Sequence, residues 1–377
     1  MNKKIALGQF YTPAVIADSM ITQALELLKF HPSNVIELAA GNGDLIKPLK
    51  EAVPHCKVTA IDIDNENARN LSESLDIQVY NKDSMEPLNF IENIAYDLAL
   101  GNPPFLSKVY VTDFIKKVVK ENLNLDFELD IKIRAELVFI AQYMSLLVNN
   151  GILGVILPDS LLCGKNFSFF RKALMEMWEI ERIVEIKGTP FALTEAKTHI
   201  VYIRKCKPTL EVIEVLSMDP SGKCSNESIM IPKSSLIDRM DYSFFKSNQL
   251  KKSLVRKLGD HATIHRGRKT HKALLDIGDD YLHTTHVSKY VSKEQKKDSE
   301  LYLCRVGARV VGKSFLYSGK KIEFSDCLYL IKFEDRKVMH DFYNYINSEQ
   351  GFNHLKCIAR GVCSKYLTVG DLKDFTF

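Results

Sequence analysis

Asn102-Pro103-Pro104-Phe105 follows directly on an apolar run, residues 96–101, and its residue types suit the holding of a planar amino group. Both prolines fix φ near about −65° and neither can extend a central strand, so the turn is stiff. Asn102 offers an amide oxygen, Pro103 a backbone carbonyl and Phe105 a flat apolar face. Two acceptors take the two N–H bonds of an exocyclic amine while the aromatic ring stacks on its base. The same four residues also fit a plain proline-stiffened turn with Phe105 plugged into the core, so their surroundings must decide.

Those surroundings hold three acids. Glu37, Asp62 and Asp83 stand at or just past the ends of three successive apolar runs, and Gly41-Asn42-Gly43 turns the chain after the first. The glycine turn alone is a weak sign, because many nucleotide-binding units begin this way, and here it lacks the third glycine of the dinucleotide fingerprint. An acid closing the first strand places negative charge where a pyrophosphate would sit. It favours a ligand with a positive end. Asp62 is placed to accept two ribose hydroxyls, Asp83 an adenine amino group, and Ile63 is an apolar neighbour for the adenine face. Each acid singly fits a solvated loop carboxylate; the series fits a site. An adenosine ligand with a cationic tail is S-adenosylmethionine, the expected cofactor.

The elements that must position these groups alternate. Helical spacing over residues 13–30 is followed by strands at 35–38, 57–62, 77–80 and 96–101, with helices from about 44 and over 65–74 between them. A helix over 133–148, a strand at 151–157, a helix over 167–178 and strands at 180–186 and 198–204 continue the pattern. The expected fold is α/β, a Rossmann-like, parallel-type sheet with helices on both faces, whose ligands bind at the carboxyl ends of the strands. Residues 106–130 break the rhythm and read as a mobile flap. Residues 211–250 contain Pro220 and Pro232 and read as a linker, which divides the chain into a catalytic domain (1–210), the linker and a C-terminal α+β domain (251–377).

With 377 residues, 46% hydrophobic and 26% charged, the chain has room for two or three cored domains. No stretch approaches the roughly 20 apolar residues of a membrane span, and no signal peptide is expected. The eight cysteines form no CxxC pair, so they read as reduced thiols in a cytoplasm, and no metal is expected. Charge is uneven. Residues 251–377 carry 24 Lys+Arg against 15 Asp+Glu, a net of +9, and residues 1–250 carry 27 against 32, a net of −5. A basic C-terminal part fits a polyanionic partner.

Taken in order, Gly8-Gln9-Phe10-Tyr11-Thr12-Pro13, residues 37–43, Asp62, Asp83 and Asn102 to Phe105 resemble the motifs of an amino-group DNA methyltransferase whose cofactor segment comes first. The resemblance covers residues 8 to about 205. It implies that Thr12 helps hold the methionine carboxylate, that Glu37 and Ala39 bound the methionine ammonium, with Gly41 in the same turn, and that Pro104 packs near the cofactor. It implies catalysis by Asn102, Pro103 and Phe105, with Phe191 against the other face of a flipped base. Cys163 reads as packing, since no Pro-Cys nucleophile motif is present.

Residues 258–373 resemble half of a type I restriction specificity subunit, in Leu258-Gly259-Asp260, Ile264-His265-Arg266-Gly267, Arg305-Val306-Gly307 and residues 325–330 and 367–373. That implies a DNA target-recognition domain, with Arg266, Arg268, Lys269 and Lys272 as candidate DNA contacts. The combined expectation is an N6-adenine methyltransferase of a bacterial restriction-modification or defence system. It would be a nucleoid-associated monomer acting on duplex DNA, with any cognate restriction endonuclease on a separate chain. N4-cytosine methylation, methylation of rRNA or of a protein glutamine, and a non-catalytic DNA specificity factor are the alternatives.

Overall fold

Up to Pro232 the chain builds one main sheet, from strands that end where the polar residues begin. A computed structural model describes residues 11–91, 95–188, 197–249, 254–276, 281–290, 299–307, 309–320, 322–361 and 364–377. The chain divides into two compact units, Met1–Tyr242 and Ser243–Phe377.

In the first unit β1 (Asn34–Glu37), β2 (Lys57–Asp62), β3 (Gln78–Asn81), β4 (Tyr96–Gly101) and β7 (Leu147–Pro158) lie parallel, and β8 (Glu179–Ile186), β9 (Thr198–Arg204), β10 (Val212–Met218) and β11 (Ile229–Pro232) extend the sheet. The order is β11-β10-β8-β9-β7-β4-β1-β2-β3. The chain runs outward from β1 to β3, then returns to β4 on the other side of β1. The crevice of the fold therefore opens between the ends of β1 and β4. The sheet is mixed rather than all parallel, because β9 is antiparallel to both β7 and β8.

Helices cover both faces. Val35, Val58, Leu98 and Ile152 share a core with α1 (Ala14–Leu28) and α2 (Ile46–Ala52). The helix α3 (Asn65–Ser74), capped by the Asp64 carboxylate, packs on β3. Alternate residues Ile36, Ala99 and Leu153 turn to the opposite face, where α5 (Ala135–Leu146) packs on β7. Every residue of α5 from Ala135 to Met144 is buried, and α4 (Asp113–Leu123) packs directly against it.

Two sequence expectations are corrected. Residues 106–130 are not a flap: beyond the short pair β5 (Val109–Tyr110) and β6 (Lys132–Ile133), α4 is capped by the Thr112 hydroxyl and buries Ile115, Val118, Val119 and Leu123. Residues 211–242, expected as most of a linker over 211–250, belong to the first unit. They supply β10 and β11, and Pro232 is tolerated because β11 is an edge strand. The segment after β11 is fastened by Arg171, which is fully buried and donates to the carbonyls of Leu161, Gly164, Ile237 and Asp238.

The second unit has a four-stranded antiparallel sheet, β12 (Ala262–Arg266), β17 (Leu328–Phe333), β14 (Glu300–Cys304) and β15 (Ser314–Tyr317), in that order. A small parallel pair, β13 (Tyr281–Leu282) and β16 (Glu323–Phe324), packs on it through Leu282 and Phe324, which share a core with Tyr302, Phe315 and Leu328. Two helices, Arg336–Asn347 and Glu349–Ile358, bury Phe342, Ile346 and Leu355 in the same core as Leu301 and Ile331. Among the described residues no helix is long and apolar enough to cross a membrane.

Candidate active site

The β1 end is shaped by a turn that Asp62 closes. Gly43 has φ +77°, and a Cβ there would come within 2.7 Å of Leu71, so only glycine takes both the conformation and the space. Asp62, at the end of β2, accepts from the Gly41 N–H at 2.6 Å, from the Asp64 N–H at 2.7 Å and from Asn67 Nδ2 at 3.4 Å. Its carboxylate thus ties the glycine turn to the second strand. Burial still raises its pKa, partly offset by those donors.

Glu37 is the opposite case. It is buried, and its Oε2 has no hydrogen-bond partner. Burial, then the charges of Asp44 and Asp62, push its pKa well above the usual carboxylate range. Asp44 is also raised by burial, with the Thr12 N–H donating to it at 3.0 Å in opposition.

Asn102, beyond the end of β4, is oriented by Thr12, whose Oγ1 accepts from Asn102 Nδ2 at 3.1 Å. That bond decides which edge of the amide presents the oxygen. Gly101 precedes it for a steric reason: a Cβ there would run into the Tyr143 phenol. Tyr143, on α5, reaches past Gly101 to accept from the Leu38 N–H at 2.9 Å, so one side chain spans the ends of β1 and β4. The neighbouring Gln142 donates to the carbonyls of Ser84 and Glu86, and Ser84 donates to the Leu38 carbonyl at 2.6 Å. Asp83 accepts from the Met85 N–H at 2.9 Å, which turns the chain after β3. Helix α5 therefore sets the positions of three strand ends.

These ends enclose a cleft of about 800 Å³, its open mouth included, within the size range of small-molecule sites. All the cofactor candidates read from the sequence line it, namely Thr12, Glu37, Ala39, Gly41, Asp62, Ile63, Asp83 and Pro104, and Asn102 joins them. Pro103 is buried outside the lining, and Phe105 is half-buried against the core. Phe191 lies outside the described residues. Sequence reasoning assigns no role to Tyr11, Asp44, Ser84, Met85, Leu106 and Phe139, although Tyr11 lies within the first quoted motif and Asp44 directly follows the glycine turn. Among the described residues four carboxylates line the cleft and no lysine or arginine does.

In the second unit Arg266, Arg268 and Lys272 are exposed and Lys269 is half-buried. Arg266 pairs with Asp326 at 3.3 Å and Lys269 with Glu323 at 3.9 Å.

Residues 23–191 match the family described as Eco57I restriction-modification methylase. The Type II methyltransferase M.CvrRI of Paramecium bursaria Chlorella virus XZ-6E is 25% identical over 201 residues, 53% of this chain and 49% of that protein. The Type II methyltransferase M.HincII of Haemophilus influenzae is 24% identical over 230 residues, 60% of this chain and 43% of that protein. The chain spans about half the length of the curated relatives it matches. Among solved structures, the type IIG restriction endonuclease BpuSI has a similar fold, with a TM-score of 0.58 at 13% identity, over 98% of this chain and 59% of that one. The family match falls on the unit that carries the cleft.

Proposed function

We propose that this chain is a DNA methyltransferase that transfers a methyl group from S-adenosylmethionine to N6 of an adenine flipped out of duplex DNA. The observation that carries the reading is Glu37, a buried carboxylate whose Oε2 has no partner, in a cleft with three further acids and no basic side chain among the described residues. Such a site repels a phosphate and asks for a cationic donor.

The residues fit the cofactor. Glu37 Oε2 would take the methionine ammonium and Thr12 would lie by its carboxylate. Asp62 keeps lone pairs for ribose hydroxyls beyond those its backbone donors use, and Asp83 and Ile63 would meet the adenine, with Pro104 packing nearby. When bound, the cofactor supplies a methyl group on a sulfonium, a good leaving group. Asn102 Oδ1 and the Pro103 carbonyl accept the two N–H bonds of the target amine. Held in this way the amine would present its lone pair out of the ring toward the cleft, so positioning and electrostatics would carry the rate. Phe105 and Phe191 would stack on the flipped base, offsetting part of the few kcal/mol that flipping costs.

The basic second unit is read as the DNA-recognition part, with Arg266, Arg268, Lys269 and Lys272 on phosphate or base edges. Exposed ion pairs such as Arg266–Asp326 are worth about 0–1 kcal/mol, so phosphate can displace them.

The test is expression in a methylation-free bacterium, followed by nucleoside analysis of its DNA. N6-methyladenine is expected with the wild-type protein and none with Asn102→Ala, which retains cofactor binding. N4-methylcytosine would overturn the base assignment. Unmodified DNA from cells holding a folded, cofactor-binding protein would overturn the activity.

A further inference from the structure

The end of β7 carries a second group of buried polar side chains that methyl transfer does not use. Asp159 opens the short helix α6 (Asp159–Cys163) and Cys163 ends it, four residues on and on the same helical face. His199 is the second residue of β9, paired across the sheet with Leu157. All three side chains are buried, Cys163 and His199 completely. One donor atom from each lies within 4.8 Å of the others, and Asp159 Oδ1 is 3.9 Å from His199 Nε2.

Two observations point to a cation. Neither ring nitrogen of His199 has a hydrogen-bond partner, and a buried polar atom left unsatisfied is costly. The second is charge. Lys197 Nζ lies 3.0 Å from Glu185, 3.3 Å from Asp241 and 3.8 Å from Asp159, and Arg239 makes a two-pronged bond to Asp241. Among the described residues of this cluster three buried carboxylates face two cationic side chains, one positive charge short of balance. A divalent cation bound to a Cys163 thiolate closes that gap, because the ion adds two charges and the thiol gives up one proton.

We propose that Asp159, Cys163 and His199 bind zinc. Thiolate and imidazole select it over magnesium or calcium, which take oxygen ligands. Nitrogen and oxygen ligands about 2.0–2.1 Å from a tetrahedral ion stand roughly 3.3 Å apart, so the Asp159–His199 pair must close by about half an ångström. The site is enclosed, and its role is structural: it clips α6 to the start of β9. No linear cysteine spacing reveals it, because two ligands come from one helical turn and the third from a strand.

The full-length protein, without a histidine tag and dialysed against a chelator, is titrated with Co²⁺ alone. Uptake of one equivalent is expected, with the intense near-ultraviolet band of a cobalt–thiolate bond, and Zn²⁺ should displace it. Cys163→Ser should lose that band, and His199→Ala should lose stoichiometric uptake. Asn102→Ala should keep both, which separates this site from methyl transfer. Circular dichroism checks that each protein is folded. A folded wild-type protein that takes up no cobalt overturns the proposal, as does a thiolate band that survives in Cys163→Ser.

Discussion

Replacing Glu37 by glutamine should make the free protein more stable and the cofactor complex weaker. The carboxylate is buried, its Oε2 is without a partner, and it stands near Asp44 and Asp62, so its charge is unfavourable until a cation arrives. Its pKa in the folded protein lies well above the ordinary 4.5. The folded state therefore holds a proton over a pH range in which the unfolded chain has already lost it. Stability from this group is intact below the ordinary value and falls as pH rises toward the folded value. The amide of the Glu37→Gln variant cannot ionise, so the variant should gain on the wild type as pH rises. Relief of about 1 kcal/mol would raise the melting temperature of a unit this size by roughly 2–4 °C.

Binding should respond in the opposite sense. A hydrogen bond to a charged group contributes about 1.5–3 kcal/mol, so the variant should bind S-adenosylmethionine roughly tenfold to a hundredfold more weakly. Wild-type affinity should tighten with rising pH across the same window, with proton release on binding. Both should be absent in Glu37→Gln. Thermal unfolding of the free protein, and calorimetric titrations in two buffers of different ionisation enthalpy, read the two effects separately. A variant that melts earlier than the wild type and binds cofactor equally well would refute the reasoning.

Four further outcomes are expected. Thr12→Val removes the acceptor that orients Asn102 Nδ2; a bond of about 0.5–1.5 kcal/mol translates into a several-fold loss of kcat, read by single-turnover methyl transfer. Gly101→Ala drives a methyl group into Tyr143 and should cost about 1–3 kcal/mol, measured by urea unfolding. Lys197→Met leaves the buried carboxylates of Glu185, Asp241 and Asp159 short of their half-buried cation; removal of one partner from such a group costs up to about 3–5 kcal/mol, again by urea unfolding. Arg268→Ala combined with Lys272→Ala should lower the salt dependence of DNA binding by about 0.9 per lost phosphate contact, measured by fluorescence anisotropy over a salt series.

What can be read along the chain is each residue's demand, not its partner. Glu37, Asp62 and Asp83 stand out because an acid that closes an apolar strand is costly unless something answers it, and all three reach the cleft. The answers differ in ways no spacing shows. Asp62 is satisfied by the turn it holds, while Glu37 Oε2 is left unmet. The orientation of β9 is hidden because a strand buried on both faces loses the polar alternation that marks an exposed sheet. Prolines suggest a linker over residues 211–250, yet they forbid only a central strand and not the edge position that β11 takes. Helix α4 reads as a flap although Ile115, Val118, Val119 and Leu123 have helical spacing, because its short flanking strands obscure the pattern. Gly101 is the clearest case of a residue whose reason is tertiary. It reads as strand composition until Tyr143 is seen to need the space of a side chain there, and through that space the ends of β1 and β4 are held in register.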